Sequence, residues 1–519
     1  MPLRIALVDF DPVLPNLTSQ LLLPRHNVLA VGTAARLAGY DVDVFVEAWN
    51  GVPVEELPSY DVVGAAVTGS NFSRVTTLFE GLRASHPGIV LVAGGPHATL
   101  LPTDVARIAD VVVRDEGERT FVELCAAISR GEDYADVLGL SFRRGSRTIH
   151  TPRRAFAKSA GSTEDLSLLR GFTPRSTAGQ ILRQGGVYTG YATSSRGCPF
   201  PCTFCYENLI GGTGFRRQEL ATFIADVRAK RDLLGTKSFW LADSNFTTSP
   251  THCREILQAI IDADLGCRFS ALCRTDVGRW PDVLDLMRRA GFESLIIGIE
   301  AVDNTRLQQI RKKQTIDASS EAIAAIQAAG IAVFGLFMLG FDEDTDDAPR
   351  AVAAYAEAHD LAGLSIYCLT EYPSLPGRTL PRYRICETDL DYYNGHFVTT
   401  FPLLARPSVF ERAVFTALLE YHHPRKILRA LRKRDVGAMQ LHFAHYLQLQ
   451  KLWRVSQRHQ ARLARLEAPY YDATGRLRVD ALKANPIVQG PLSSDLLTRW
   501  PDPAEPDVAS DLVSIRLHA

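Results

Sequence analysis

No apolar run in the sequence is long enough to span a bilayer, which takes about 20 consecutive residues. Neither sign of charge dominates: 57 Lys and Arg stand against 58 Asp and Glu, a net charge of −1. That balance argues against a dedicated nucleic-acid binder. The opening Met-Pro-Leu-Arg-Ile-Ala-Leu-Val-Asp-Phe has no targeting pattern and reads as a first strand. A disulfide framework is missing too. Nine cysteines are an odd count, and Cys125, Cys253, Cys267, Cys273, Cys368 and Cys386 are scattered. The expectation is a reduced, cytoplasmic protein. Hydrophobic residues make up 46% and charged residues 22%, enough for a large core. At 519 residues, two or three domains are expected.

The other three cysteines are bunched in Cys198-Pro199-Phe200-Pro201-Cys202-Thr203-Phe204-Cys205, a C-x3-C-x2-C triplet. Three thiolates in one short stretch can hold three irons of a [4Fe-4S] cube, because such clusters take soft thiolate ligands. The fourth iron then has no cysteine nearby and can bind a small molecule. A structural zinc site needs four ligands, often as two C-x2-C pairs. His150 and His252 are far away in sequence. The spacing, with an aromatic before the third cysteine, resembles the signature of the radical S-adenosylmethionine (SAM) superfamily.

Residues 1–150 alternate strands with helices. Apolar runs fall at Leu3–Val8, Val42–Val46, Val62–Val67, Ile89–Ala93 and Val111–Val113. Helical stretches such as Val28–Ala38 and Ser73–Ala84 lie between. This pattern implies an α/β, doubly wound parallel sheet covered on both faces. Such sheets bind ligands at the carboxyl ends of their strands. Those ends carry Thr68-Gly69-Ser70-Asn71, Gly94-Gly95-Pro96-His97 and Asp115-Glu116-Gly117-Glu118-Arg119-Thr120. Taken singly, each is also an ordinary strand-to-helix turn. The set resembles the cobalamin-binding domain that precedes many radical SAM enzymes, with its Gly-Gly-x-His-x-Thr and Gly-Glu-Gly-Glu-x-Thr stretches. The resemblance implies cobalamin contacts from Thr68, Gly69, Ser70, Gly94, Gly95, His97, Glu116 and Gly117. Two departures stand out: Asp115 replaces the first glycine, and there is no Asp-x-His-x-x-Gly stretch around His26, His86 or His97. A bound corrinoid would then have a lower face not held by histidine; a vestigial domain that binds none stays open.

Residues 151–190, rich in Arg, Ser, Thr and Gly, read as a linker with a short helix at Leu166–Arg170. Over 191–390 the alternation resumes. Strands are expected at Tyr191–Ser195, Ser238–Leu241, Arg268–Arg274, Ser294–Ile299, Ala332–Leu339 and Leu364–Leu369. Six strand-plus-helix units resemble the partial (β/α)6 radical SAM barrel, whose sites lie at strand carboxyl ends. The resemblance implies SAM contacts from Phe204, Asp243, Arg274, Glu300 and Met338. It also matches Pro373-Ser374-Leu375-Pro376-Gly377-Arg378-Thr379 to a Pro-Leu-Pro-Gly-Thr stretch. Plainer readings stand beside these. Arg274 and Glu300 can be a structural ion pair, and Asp243 a helix N-cap. Arg311-Lys312-Lys313 reads as a solvated face.

Residues 391–519 form a C-terminal, mostly helical region with an irregular tail. Helix is expected over 408–466. Eleven Lys or Arg fall between Arg425 and Arg465, against the single acid Asp435. Leu441, Phe443, Tyr446, Leu447, Leu449 and Leu452 could pack its faces. Such a basic stretch suits a helical cap, or an anionic membrane or acidic partner.

The combined resemblance implies a methyltransferase acting on an unactivated carbon, or phosphorus, of a specialised metabolite, lipid or peptide. It would work through a 5′-deoxyadenosyl radical and methylcobalamin, with a [4Fe-4S] cluster, SAM and cobalamin as cofactors. An electron donor such as flavodoxin or ferredoxin is the implied partner. A radical SAM oxidoreductase or cyclase without net methylation, and a cobalamin methylase that makes no deoxyadenosyl radical, remain alternatives.

Overall fold

The computed structural model describes residues 2–16, 21–22, 26–161, 164–171, 187–188, 190–371, 384–432 and 436–483. The chain divides into two compact units. The first comprises Met1–Val13, Leu21–Pro199 and Tyr206–Ser244. The second comprises Leu14–Gln20, Phe200–Cys205 and Asn245–Ala519. Cys198 thus belongs to the first unit, and Cys202 and Cys205 to the second.

The first unit opens with a seven-stranded sheet: β1 (Arg4–Asp9), β2 (Asp41–Val46), β3 (Val62–Ala66), β4 (Val90–Gly94), β5 (Val111–Val113), β6 (Leu140–Arg144) and β7 (Arg147–His150). Their order is β2-β1-β3-β4-β5-β6-β7. The first five pair in parallel. Helices α1 (His26–Leu37), α2 (Phe72–Ser85) and α3 (Gly117–Arg130) connect them. Alternate residues of each strand face opposite sides. Ile5, Leu7 and Val44 pack with Val28 and Leu29 of α1 and Phe121 and Leu124 of α3. Ala6, Val8, Val63 and Leu91 pack with Val75, Leu78 and Phe79 of α2. The doubly wound parallel arrangement is therefore present, with helices on both faces. One addition escaped the sequence: β6 and β7 form an antiparallel hairpin on β5. Arg143, Arg144 and Arg147 are exposed on it, which suits a sheet edge.

The barrel strands are shared between the units. In the first, β8 (Gly190–Ala192) and β9 (Ser238–Leu241) pair in parallel, with α4 (Leu220–Leu234) between them in the chain. The expected strand Tyr191–Ser195 ends early, and Ser195–Arg196 instead pairs antiparallel with Arg216–Arg217. In the second unit, β10 (Arg268–Cys273), β11 (Phe292–Glu300), β12 (Ala332–Leu339) and β13 (Gly363–Cys368) form a parallel ladder in chain order. Helices α5 (Pro250–Ala263), α6 (Pro281–Arg289), α7 (Ile316–Ala328) and α8 (Ala348–Ala358) alternate with them. Local chemistry sets their starts. Ser249 Oγ accepts from His252 N–H at 3.3 Å with Pro250 at the first position of α5, and Thr315 Oγ1 accepts from Ala318 N–H at 3.2 Å ahead of α7. The stretch Pro373–Thr379 lies outside the described residues.

The C-terminal part is helical as expected, but broken: α9 (Pro407–Tyr421), α10 (Pro424–Arg432) and α11 (Val436–Glu467). Pro424 lacks the N–H that a continuous helix would need. Of the expected packing residues, Leu449 and Leu452 are fully buried, whereas Phe443 and Leu447 are exposed. Among the described residues no helix is long and apolar enough to cross a membrane.

A buried charge cluster fastens this region. His459 of α11 lies between Glu411 of α9, at 2.7 Å, and Glu387, at 3.1 Å. All three side chains are excluded from solvent. Ser456 Oγ donates to Glu411 at 2.6 Å, and Tyr392 stacks on the imidazole at 4.2 Å. Burial alone would lower the His459 pKa, but Glu411 and Glu387 raise it to about 9. The imidazole is thus protonated in the fold and binds both carboxylates. Because the folded value lies above the unfolded 6.5, the stabilisation is complete below 6.5 and lost as pH rises through about 9. Denaturant titrations should show stability falling across that window by roughly 3 kcal/mol. In His459→Gln that slope should flatten.

Candidate functional site

The loops at the carboxyl end of the first sheet are fixed by backbone-directed side chains. Thr68 N–H donates to Asn71 Oδ1 at 2.8 Å, and Asn71 Nδ2 donates to the carbonyls of Phe10 and Ala66 at 3.1 and 3.0 Å. Val13 N–H donates to Ser70 O at 2.8 Å. The loops after β1 and β3 are therefore knitted together where the strand order reverses, the usual ligand crevice of an open parallel sheet. Gly69 and Ser70 are buried there and Thr68 half-buried. Gly94 ends β4. Gly95 follows at φ +100°, and a Cβ there would lie 2.9 Å from the Val67 carbonyl oxygen, so only glycine fits.

His97 is fully buried and packs against the Phe72 ring at 4.8 Å. Burial lowers its pKa to about 4, so the ring is neutral near pH 7. Asp115 N–H donates to Thr99 Oγ1 at 2.8 Å, joining the two sequence motifs. Gly117 opens α3. The Glu116 carboxylate accepts from Ala157 N–H at 2.8 Å, from Arg216, and from Arg196 at 3.4 Å.

The neck of the cysteine segment is built on the Ser195–Arg196 pairing. Gly197 comes next at φ +82°, and a Cβ there would stand 2.1 Å from Gly214 O. Neither its conformation nor its surroundings admit a side chain. Cys198 N–H then donates to Gly212 O at 3.3 Å. Beside the neck, Asp243 is almost fully buried and follows β9. Its carboxylate accepts from Ser194 N–H at 3.1 Å, from Ser194 Oγ at 2.9 Å and from Ser195 Oγ. Burial pushes the carboxyl above its ordinary value, opposed by these serine donors. Asp243 therefore ties the ends of β8 and β9 together; the N-cap of α5 is Ser249 instead.

In the second unit, Cys205 N–H donates to Cys202 O and Thr203 N–H to Ile310 O, both at 3.3 Å. Phe204 meets Phe341 edge-on at 6.5 Å. Phe204 and Met338 share one apolar patch with Ala301, Leu307, Ile310 and Leu369. Arg274 lies 4.2 Å over the Phe200 ring, between the first two cysteines in sequence. Its Nε donates to Asp276 at 3.1 Å and its Nη2 to the Lys312 carbonyl. Glu300, at φ +71°, accepts from Lys312 Nζ at 2.7 Å.

Two plainer expectations are corrected here. Arg274 and Glu300 are partnered separately, with Asp276 and Lys312 respectively. The solvated reading holds for Arg311 and Lys313, but Lys312 is only 6% exposed. A buried carboxylate demands a counter-charge, and Lys312 supplies it. Nothing in the Arg-Lys-Lys run marks the middle residue for that role. Among the described residues no cysteine is in a disulfide. Nor do three Cys, His, Asp or Glu side chains converge as a metal-holding group among them.

Residues 193–356 match the family model of the radical SAM superfamily, and residues 16–125 that of the B12 binding domain. The chain is 26% identical over 373 residues to the bacteriochlorophyllide d C-12(1)-methyltransferase of Chlorobaculum tepidum, covering 71% of this chain and 76% of that one. It is 27% identical over 340 residues to the anaerobic magnesium-protoporphyrin IX monomethyl ester cyclase of a Synechocystis species, covering 62% and 66%. The fold is shared with the radical S-adenosylmethionine methyltransferase TsrM from Kitasatospora setae, with a TM-score of 0.65 at 16% identity, over 88% of this chain and 100% of that one. The chain therefore carries a radical SAM domain match over residues 193–356 and, ahead of it, a B12 binding domain match over residues 16–125.

Removing the amine from the buried Glu300–Lys312 pair strands a carboxylate. Lys312→Met should cost roughly 3–5 kcal/mol in denaturant titration, and adding Glu300→Gln should recover most of the loss.

Proposed function

We propose that this chain is a cobalamin-dependent radical SAM methyltransferase acting on an unactivated carbon, or phosphorus, of a specialised metabolite, lipid or peptide. One observation carries the reading: a B12 binding match and a radical SAM match occur in one chain, the latter containing the C-x3-C-x2-C segment that follows β8. Cys198, Cys202 and Cys205 are the proposed ligands of a [4Fe-4S] cluster, and their thiolate chemistry fits it. The glycine neck at Gly197 suits a segment whose backbone must curve tightly just ahead of its first ligand.

Phe204, Asp243, Arg274, Glu300 and Met338 are the proposed frame for SAM. Phe204 and Met338 contribute an apolar wall that keeps water out. Arg274 braces the cysteine segment through Phe200, and Asp243 holds its neck through the two serines. Thr68, Gly69, Ser70, Gly94, Gly95, His97, Glu116 and Gly117 are the proposed corrinoid frame. The fit rests on the close-packed Gly95 turn and on the knitted loops at the strand-order reversal. When bound, these groups supply one-electron cleavage of SAM and carriage of a methyl group, while the protein supplies position and dryness.

The reading places the enzyme in the cytoplasm, with flavodoxin or ferredoxin as the electron source and no role for nucleic acid. The match to a cyclase favours a second reading, radical chemistry without net methylation.

Product analysis after anaerobic purification with corrinoid supply separates them. Methylation with a deoxyadenosyl radical should yield both S-adenosylhomocysteine and 5′-deoxyadenosine. The cyclase reading yields 5′-deoxyadenosine without S-adenosylhomocysteine, and a methylase that makes no such radical yields the reverse. Cys202→Ala should abolish reductive SAM cleavage; full cleavage by that variant would overturn the cluster assignment.

A further inference from the structure

The acidic turn Asp115–Glu118 is read in the sequence as a corrinoid contact, yet its carboxylates are committed to arginines of the same unit. Arg196 Nη1 donates to Glu118 Oε1 at 2.7 Å and to Glu116 Oε1 at 3.4 Å. Arg216 also donates to Glu116, and Arg153 to Asp115. The other arm of Arg196 reaches His26 Nε2 at 2.8 Å. The other ring nitrogen of His26, Nδ1, meets the Glu164 carboxylate. Glu164 also accepts from Tyr191 on β8 and pairs with Lys230 of α4 at 3.3 Å. Lys230 in turn pairs with Asp226 at 2.7 Å and stands 3.7 Å over the Tyr191 ring. The chain of contacts therefore runs from α3 of the B12 binding domain, through α1 and the linker, to the first barrel strand.

Its centre, Arg196, is two residues before Cys198. Gly197 between them sits at φ +82°, where any side chain would run into the carbonyls of Gly211, Gly212 and Gly214. Wherever the Arg196 backbone is held, Cys198 must follow. Both partners of Arg196 in the turn come from the B12 binding domain, and a forked guanidinium fixes direction as well as distance.

We propose that Arg196 is a positioning residue: Glu116 and Glu118 latch it, and through it the B12 binding domain sets the place of Cys198. The inference rests on the cluster assignment made above. It gives the acidic turn a task toward the iron site rather than toward the corrinoid alone.

The test measures cluster retention, not turnover. Reconstituted protein is challenged with an iron chelator under anaerobic conditions, and the loss of cluster absorbance is timed. Equilibrium dialysis with aquacobalamin runs in parallel. Wild type that loads no cluster would overturn the cluster assignment itself, whatever the variants do. If wild type loads, Arg196→Ala should lose its cluster about tenfold faster, in line with the loss of an outer-shell support. Arg196→Lys, which keeps charge but not the fork, should fall between, and it serves if the alanine variant fails to fold. Glu118→Gln should also speed cluster loss, and the pair Glu118→Gln/Arg196→Ala should be no worse than Arg196→Ala alone. Wild-type retention in the Arg196 variants, additive losses in the pair, or a Glu118→Gln defect confined to aquacobalamin would each overturn the latch.

Discussion

Buried charge has to be answered by opposite charge, and in the first unit that constraint converges on Arg196. Its guanidinium meets Glu116, Glu118 and His26 while remaining mostly hidden from water. Breaking such a set by removing one partner costs far more than the set contributes, because the remaining charges stay buried. The neck of the cysteine segment, the start of α3 and the linker carboxylate Glu164 are therefore held as one piece. Sheet hydrogen bonds would not by themselves achieve this, since Ser195–Arg196 is a strand of only two residues.

The second unit follows the same rule with different residues. Glu300 turns back at a positive φ and is met by Lys312, and Arg306 meets Asp344 at 2.8 Å, 3% and 7% exposed. Further along, His459 joins Glu387 and Glu411. Glu300 ends a strand, whereas Arg306, Glu411 and His459 project from helices, so the pairs tie regular elements to the segments packed on them. Beside them Phe204 and Met338 pack, partly buried, on the apolar cluster of Ala301, Leu307, Ile310, Phe341 and Leu369. Polar residues set geometry, and apolar ones set the dielectric in which that geometry acts.

Much of the fold was legible from pattern alone. Continuous apolar strands such as Val62–Ala66, separated by amphipathic helices, announce a parallel sheet. The hairpin β6–β7 was not legible, because its strands mix buried and charged residues in a short span. The C-terminal helices were visible as a class, but Phe443 and Leu447 were misjudged as packing residues. Periodicity says that a helix has an apolar face; it does not say whether a neighbour covers it. Within the candidate site, the cysteines and the glycine turns could be found from spacing. Lys312 and Arg196 could not, since a single basic residue carries no local signal of the carboxylate it will meet.

The sequence by itself determined the cysteine triplet, the alternation of strands and helices, and the loops that close the strands at their carboxyl ends. These are local properties: cysteine spacing, periodicity and turn chemistry act over a few residues. Tertiary structure alone decided which charges meet. Glu116 and Arg196 are 80 residues apart, and Glu387 and His459 are 72 apart. No pattern along the chain encodes such a pairing, because burial makes it necessary and burial exists only once the chain has folded.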